Sequence, residues 1–183
     1  AMVAIDPDNG YIKALVGGKD YDASQVNMAT GTGGSGRQAG SSFKTFTLVA
    51  AIEQGIDPST MIDASATAKL PGWEVANINH TNYGTKSISD AFAVSSNTAF
   101  ARLILSIGPD KVVDVAKRMG ITSPLTATGS LTLGSESVTP LEMANAYATI
   151  ANGGTHYDPE CVERIVDRNG SIVVDNSAPK GTR

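Results

Sequence analysis

Residues 42–54 read SFKTFTLVAAIEQ, and they constrain the fold more than any other stretch of the chain. Apolar side chains nearly encircle a helix drawn through them, so that helix has to be buried, with other elements packed around it. Gly55 stops it. Between Ser42 and Ile52 the only charged residue is Lys44. A lysine at the head of a core helix is either a snorkelling side chain that keeps its charge in water or an amine that the chain needs beside the hydroxyls preceding it. The glycine-rich run GTGGSGRQAG, residues 31–40, leads straight into those hydroxyls.

The rest of the chain has to supply the packing. MVAID and YIKALVG are apolar, β-rich runs on either side of PDNG, and Asn9-Gly10 tolerates the positive φ of a hairpin turn. An antiparallel pair is expected over residues 2–6 and 11–17, followed by a polar, glycine-rich loop over 19–37. Residues 56–86 carry few periodic signals and many Asn, Thr, Gly and Pro residues, and are expected to wind over the surface. Further helices are expected from residue 88, capped by Ser87 with Asp90 in the capping-box position, over 98–106, and over 110–119 between Pro109 and Gly120. Another runs from Pro140 to Gly153 with Thr139 as cap. CVERIVDRNGSIVVD reads as a closing hairpin turning at Asn169-Gly170. Strands first, helices in the middle and strands last predict an α+β domain. Its antiparallel sheet is made from both ends, about 1–18 and 160–176, around a mainly helical middle, about 41–153.

Composition narrows the class. Of 183 residues, 41% are hydrophobic and 17% charged, which fits a globular chain with a core. A net charge of −4 without a basic patch argues against nucleic acid. There is no run of 18 apolar residues and no visible signal peptide. The single Cys161, in a strand-like run, is expected to be a buried structural thiol.

Ser41 lies three residues before Lys44, and residues three apart on a helix are neighbours at roughly 5–6 Å between Cβ atoms. An amine held among apolar groups resists protonation, and the positive end of the helix dipole pushes the same way. A neutral amine can take a proton, and a hydroxyl beside it becomes a nucleophile. N–H groups at the same helix end can face an oxyanion. The string alone does not choose between this and a solvated lysine. Ser177 and Lys180 repeat the spacing in a polar tail with Pro179, and carry no function. A second element is SSN, Ser95–Asn97, at a junction of two helices. Its serine can shuttle a proton, and its amide can both donate and accept. By itself the string reads equally as an N-cap, Ser96 or Asn97.

Taken together, RQAGSSFK and, about fifty residues on, SSNTAF resemble the transpeptidase domain of class A penicillin-binding proteins, as two of that superfamily's three active-site motifs. The opening hairpin and the loop behind it, the segment GWEVANINHTNYGTKSISDAFAVSSNTAFARL and the stretch LTLGSESVTPLEMANAYATIANGG resemble the family in order, so the likeness covers residues 2 to about 176. It implies an antiparallel sheet flanked by helices plus a mainly helical subdomain, here a single domain fragment over 1–183. It implies a D,D-transpeptidase that cross-links peptidoglycan stem peptides through a serine ester and is acylated by β-lactam antibiotics. In that reading Ser41 is the nucleophile, Lys44 its base, Ser95 the proton relay and Asn97 the substrate clamp, with the Ser41 N–H as half of the oxyanion hole. No cofactor and no metal are implied. An upstream glycosyltransferase domain, a membrane anchor and an extracytoplasmic location are.

The third motif, Lys-Thr-Gly, does not occur; KSI at Lys86 and KGT at Lys180 are the nearest strings. The chain is therefore expected to be a truncated or cleaved domain, impaired alone, with the missing C-terminal strands lost or on a companion chain. Two alternatives stay open: a hydrolase of the same superfamily, carboxypeptidase or β-lactamase, for which Glu74 has no special setting, and a non-catalytic β-lactam-binding scaffold. Gly31, Gly33 and Gly36 spell a dinucleotide string with Glu53 downstream, but no strand precedes them, and a mobile loop is the better reading. His80 and His156 are far apart in the sequence, without clustered carboxylates or thiols, so a metal site has no support. Trp73 and Asn77 resemble positions near the family's substrate groove and read equally as core residues. Asp6, Asp8 and Asp20 read as turn residues.

Overall fold

The computed structural model describes residues 1–32 and 36–183. The dinucleotide string therefore falls partly outside the described residues. Among the described residues there are five α-helices: α1 (Lys44–Glu53), α2 (Ile88–Ala93), α3 (Asn97–Ile107), α4 (Pro109–Arg118) and α5 (Pro140–Ala151). The chain divides into two compact units, one of residues 1–37, 117–123 and 138–183, the other of residues 38–116 and 124–137.

The first unit contains both terminal hairpins. Met2–Ile5 pairs antiparallel with Ile12–Val16 across a turn in which Gly10 has φ +77°. Arg164–Val166 pairs with Ile172–Asp175, and Gly170 takes φ +84° in that turn. The expected single sheet from both ends is not formed. The two hairpins are separate two-stranded ladders, joined by one parallel bridge between Tyr11 and Glu160. The Ile12 N–H donates to the Glu160 carbonyl at 2.8 Å, and the Tyr11 hydroxyl donates to the Asn176 carbonyl at 2.7 Å. Helix α5 packs on the strand Met2–Ile5. Cys161, expected to be buried, is exposed: it sits in the bend before the second hairpin and not on a strand.

Helix α5 starts with a full capping box that its sequence, TPLE, spells out: Thr139 accepts from the Glu142 N–H, and Glu142 accepts from the Thr139 N–H at 2.7 Å. Glu142 is only 8% exposed. Its carboxylate also accepts from the N–H and hydroxyl of Thr122, both at 2.8 Å, and from those of Ser123 at 2.6 and 2.9 Å. Burial alone would push this carboxyl up; the five hydrogen bonds outweigh it and hold the pKa at about 2.

The second unit is built around the helix that the sequence singled out. Phe43, Phe46, Ala50 and Ala51 are buried on and before α1, and Ala99, Phe100, Ala101, Leu103 and Ile104 on α3, which packs against it. The rings of Phe43 and Phe46 lie 4.6 Å apart and tilted. Residues 56–86 do not simply wind over the surface. Met61–Asp63 pairs with Thr85–Ser87, and Thr67–Leu70 pairs with Trp73–Ala76. The turn of the latter hairpin is Pro71-Gly72, with Gly72 at φ +79°, a signal present in the sequence between two short β-prone runs. Ala68, Val75 and Ala101 form a small cluster against which Leu70, Trp73 and Leu133 pack. Trp73 is thereby a packing residue.

Candidate active site

The helix predicted from residue 42 begins differently. A 3-10 turn, Gly40–Phe43, runs into α1 at Lys44. In 3-10 geometry residues i and i+3 eclipse each other, which is a tighter alignment than an α-helix gives. Ser41 and Lys44 are such a pair, and Lys44 Nζ lies 3.1 Å from Ser41 Oγ. The turn is fixed from outside by close backbone packing. Gly134 takes φ +69°, and a Cβ there would stand 2.2 Å from the Gly40 nitrogen. Gln38 Nε2 donates to the Ser135 carbonyl at 3.0 Å. Deeper in, the Thr47 and Thr132 hydroxyls bond at 2.8 Å.

Ser95, Ser96 and Asn97 form the corner between α2 and α3, and each does something different. Ser96 is the N-cap of α3, accepting from the Ala99 N–H at 3.2 Å. That leaves its two neighbours for the lysine. Ser95 takes φ +55°, a region that costs a non-glycine residue about 1 kcal/mol or more. The unusual conformation brings both its carbonyl, at 2.6 Å, and its hydroxyl, at 3.0 Å, onto Lys44 Nζ. Asn97 Oδ1 is 2.8 Å from the same nitrogen, and its Nδ2 donates to the Ala76 carbonyl at 3.0 Å, which fixes the amide's orientation. All four residues singled out in the sequence, Ser41, Lys44, Ser95 and Asn97, therefore converge on one amine. The other Ser-x-x-Lys does not: the Ser177 hydroxyl donates to Asp175, and Lys180 is exposed.

Lys44 is 1% exposed. Burial lowers its pKa from 10.5 to about 8. The Phe100 ring lies 6.0 Å from the nitrogen, adding an apolar wall with a weak attraction for the cation. Counting hydrogens shows what neutrality would do. The Ser95 carbonyl and Asn97 Oδ1 can only accept, so they take two N–H groups of the amine. A neutral amine has just those two and one lone pair, which is then left to accept from the hydroxyl of either Ser41 or Ser95. The protonated amine has a third N–H for one of those oxygens. The site thus holds two arrangements of one proton among Ser41, Lys44 and Ser95, with Asn97 and the Ser95 carbonyl fixed in both.

Residues 1–182 match the family model of the penicillin binding protein transpeptidase domain. The chain belongs to that family. It is 34% identical over 198 residues to penicillin-binding protein 1A of Mycobacterium tuberculosis, covering all of this chain and 23% of the relative. It is 38% identical over 180 residues to penicillin-binding protein 2D of Bacillus subtilis, covering 94% of this chain and 26% of the relative. The fold matches a structure of the PonA1 protein from M. tuberculosis in complex with penicillin V, with a TM-score of 0.86 and 34% identity over 97% of this chain and 50% of that one. The chain thus spans about a quarter of the length of these curated relatives. The match bears out the mixed helix-and-sheet fold expected from the sequence, with small antiparallel ladders. Among the described residues, no helix is long and apolar enough to cross a membrane.

What sequence reasoning missed in this site are groups without a reactive side chain. The Ser95 and Ala76 carbonyls left no signal in the motif strings, whereas Asn77, which resembles a family position, is found buried. The positive φ of Ser95 is likewise invisible in its residue type.

Proposed function

We propose that this segment is the acylation centre of a peptidoglycan D,D-transpeptidase. Ser41 Oγ gives its proton to the neutral Lys44 amine and attacks the penultimate D-alanine carbonyl of a stem peptide. The developing oxyanion faces the Ser41 N–H in the 3-10 turn that leads into α1. As the tetrahedral intermediate collapses, the proton passes from Lys44 through the Ser95 hydroxyl to the leaving D-alanine nitrogen. The same relay, reversed, deprotonates the acceptor amine of a second stem peptide, which takes the acyl group and frees Ser41. Asn97 orients the lysine through Oδ1 and holds the substrate amide. A β-lactam carbonyl presents the same electrophile, but its leaving group stays tethered and the ester persists. The observation that carries this reading is the convergence of Ser41 Oγ, Ser95 Oγ and Asn97 Oδ1 within 3.1 Å of one buried amine. The side chains hydrogen-bonded to that amine are hydroxyls and an amide; the site as described offers no carboxylate to activate water, which favours transfer to an amine over hydrolysis.

The family and the relatives' names support a transpeptidase centre bound by penicillins; its place in an extracytoplasmic, membrane-anchored protein with a glycosyltransferase domain, acting on peptidoglycan, is part of this proposal and follows the class A resemblance. The test is intact mass after incubation of the full protein carrying this segment with a β-lactam, with Ser41→Ala as control. A persistent adduct that the control lacks supports the transpeptidase. An adduct that forms and is rapidly lost points to a hydrolase. A persistent adduct without cross-linking of stem peptides points to the scaffold, and no adduct on Ser41 overturns the reading.

A further inference from the structure

Asn77 is a buried amide, 4% exposed, at the end of the hairpin strand Trp73–Ala76. It touches none of Ser41, Lys44, Ser95 or Asn97 through any of its side-chain bonds. Its Nδ2 places two hydrogens among three carbonyls, those of Ala64 at 3.0 Å, Ser65 at 3.1 Å and Thr81 at 2.9 Å, so one hydrogen is shared. Its Oδ1 accepts from the Ser96 hydroxyl at 3.0 Å and the Thr98 N–H at 3.1 Å. The amide can sit only this way round, since reversing it would set an oxygen against three carbonyls. The Thr98 hydroxyl reinforces the same joint by donating to the Ser65 carbonyl at 2.8 Å.

Ser96 and Thr98 are the residues on either side of Asn97, and Ser96 follows Ser95. One side chain thus grips the backbone of the corner from behind, while the carbonyl of the preceding residue, Ala76, takes the Nδ2 proton of Asn97. The two adjacent residues Ala76 and Asn77 hold the corner at three points. The positive φ of Ser95 is set locally, just past the end of α2: its N–H donates to the Phe92 carbonyl and that of Ser96 to the Ala91 carbonyl, both at 2.9 Å. What those bonds leave open is where Ser96, Asn97 and Thr98 go next, and Asn77 is placed to fix it.

We infer that Asn77 is a positioning residue of the transpeptidase centre: it locks the Ser95–Asn97 corner so that three of the four oxygens around Lys44 stay on the amine. The inference rests on the function proposed above, in which that amine is the base. Without the lock, the start of α3 is free to shift against the end of α2, Asn97 and with it the Ser95 side withdraw from Nζ, and water enters. The groups that face Nζ are Ser41, Ser95, Asn97 and the Phe100 ring, none of which titrates near neutrality, so solvation of the amine is the quantity that changes.

The test is Asn77→Ala in the full protein, with Ser96→Ala as a milder break of the same link and Glu142→Gln as a destabilised control elsewhere. Two readouts are taken: the rate of acylation by a fluorescent penicillin against pH, and the titration midpoint of the Lys44 ε-carbon by NMR. The expected result is a folded Asn77→Ala protein with acylation at pH 7 slowed at least tenfold and a Lys44 midpoint raised from about 8 toward 10.5. Ser96→Ala should move both in the same direction by less, and carries the test if Asn77→Ala does not fold. Glu142→Gln should change melting temperature but neither readout. A Lys44 midpoint that stays at the wild-type value in both corner variants, whatever their stability, overturns the inference. A shifted midpoint in a protein whose wild type is never acylated would leave the lock standing and remove the proposed function instead.

Discussion

An amine with a pKa of about 8 is neutral in about one molecule in ten at pH 7, against about one in three thousand for an ordinary lysine. If Lys44 takes the Ser41 proton, acylation should therefore rise about tenfold per pH unit below 8 and level off above it. Asn97→Asp tests the cause. The substitution keeps the shape and puts a carboxylate 2.8 Å from Nζ, where the amide oxygen now is. An opposite charge at that range raises the lysine pKa by about 1–3 units. Taking about 2 units, the neutral fraction at pH 7 falls about 100-fold, and the acylation rate should fall with it. Raising the pH should restore much of the loss, because the variant's plateau moves to about pH 10 and beyond. The assay is the second-order rate of acylation by a fluorescent penicillin from pH 6 to 10, with Ser41→Ala as the blank. A wild-type rate that stays flat from pH 6 to 9, or a variant whose midpoint does not move, would refute the role of a neutral Lys44.

Glu142 makes an opposite pH prediction for stability. Its folded pKa of about 2 lies below the unfolded value of 4.5, so its contribution is complete above 4.5 and is lost as pH falls toward 2. Urea denaturation should show about 3 kcal/mol less stability across that window, and Glu142→Gln should flatten the dependence. Gly134→Ala should lower the melting temperature and slow acylation, since its Cβ would press on Gly40 and displace the turn that carries Ser41; normal acylation would show that the turn tolerates the shift. Ser95→Gly should stabilise the fold by about 1 kcal/mol in denaturant, by relieving the positive φ, while slowing acylation through loss of the relay hydroxyl.

Much of this protein can be read from its residues because the signals are local. The apolar circumference of residues 42–54 predicts a buried helix, and α1 is buried at Lys44–Thr47, Ala50 and Ala51, while Ile52 near its end is exposed. Asn9-Gly10 and Asn169-Gly170 set both terminal hairpins, and Ser87, Thr139 and Pro140 set the starts of α2 and α5. Spacing along one helix end puts Ser41 beside Lys44. Other features depend on partners far away in sequence. Cys161 has a strand-like neighbourhood, yet its exposure is set by where the second hairpin begins. The terminal hairpins could have merged into one sheet, and whether they pair edge to edge depends on main-chain contacts that leave no pattern in side chains. Residues 56–86 lie mostly at the surface, as expected, but their two ladders are not legible, because short strands carry too few residues to show a period, although Pro71-Gly72 marks one turn. Above all, the sequence supplies a serine, a lysine and an SSN string about fifty residues apart, but only the folded chain places the Ser95 carbonyl, the two hydroxyls and the Asn97 amide around one dry amine. Desolvation makes that amine a base, and desolvation belongs to the packed structure, not to any residue in it.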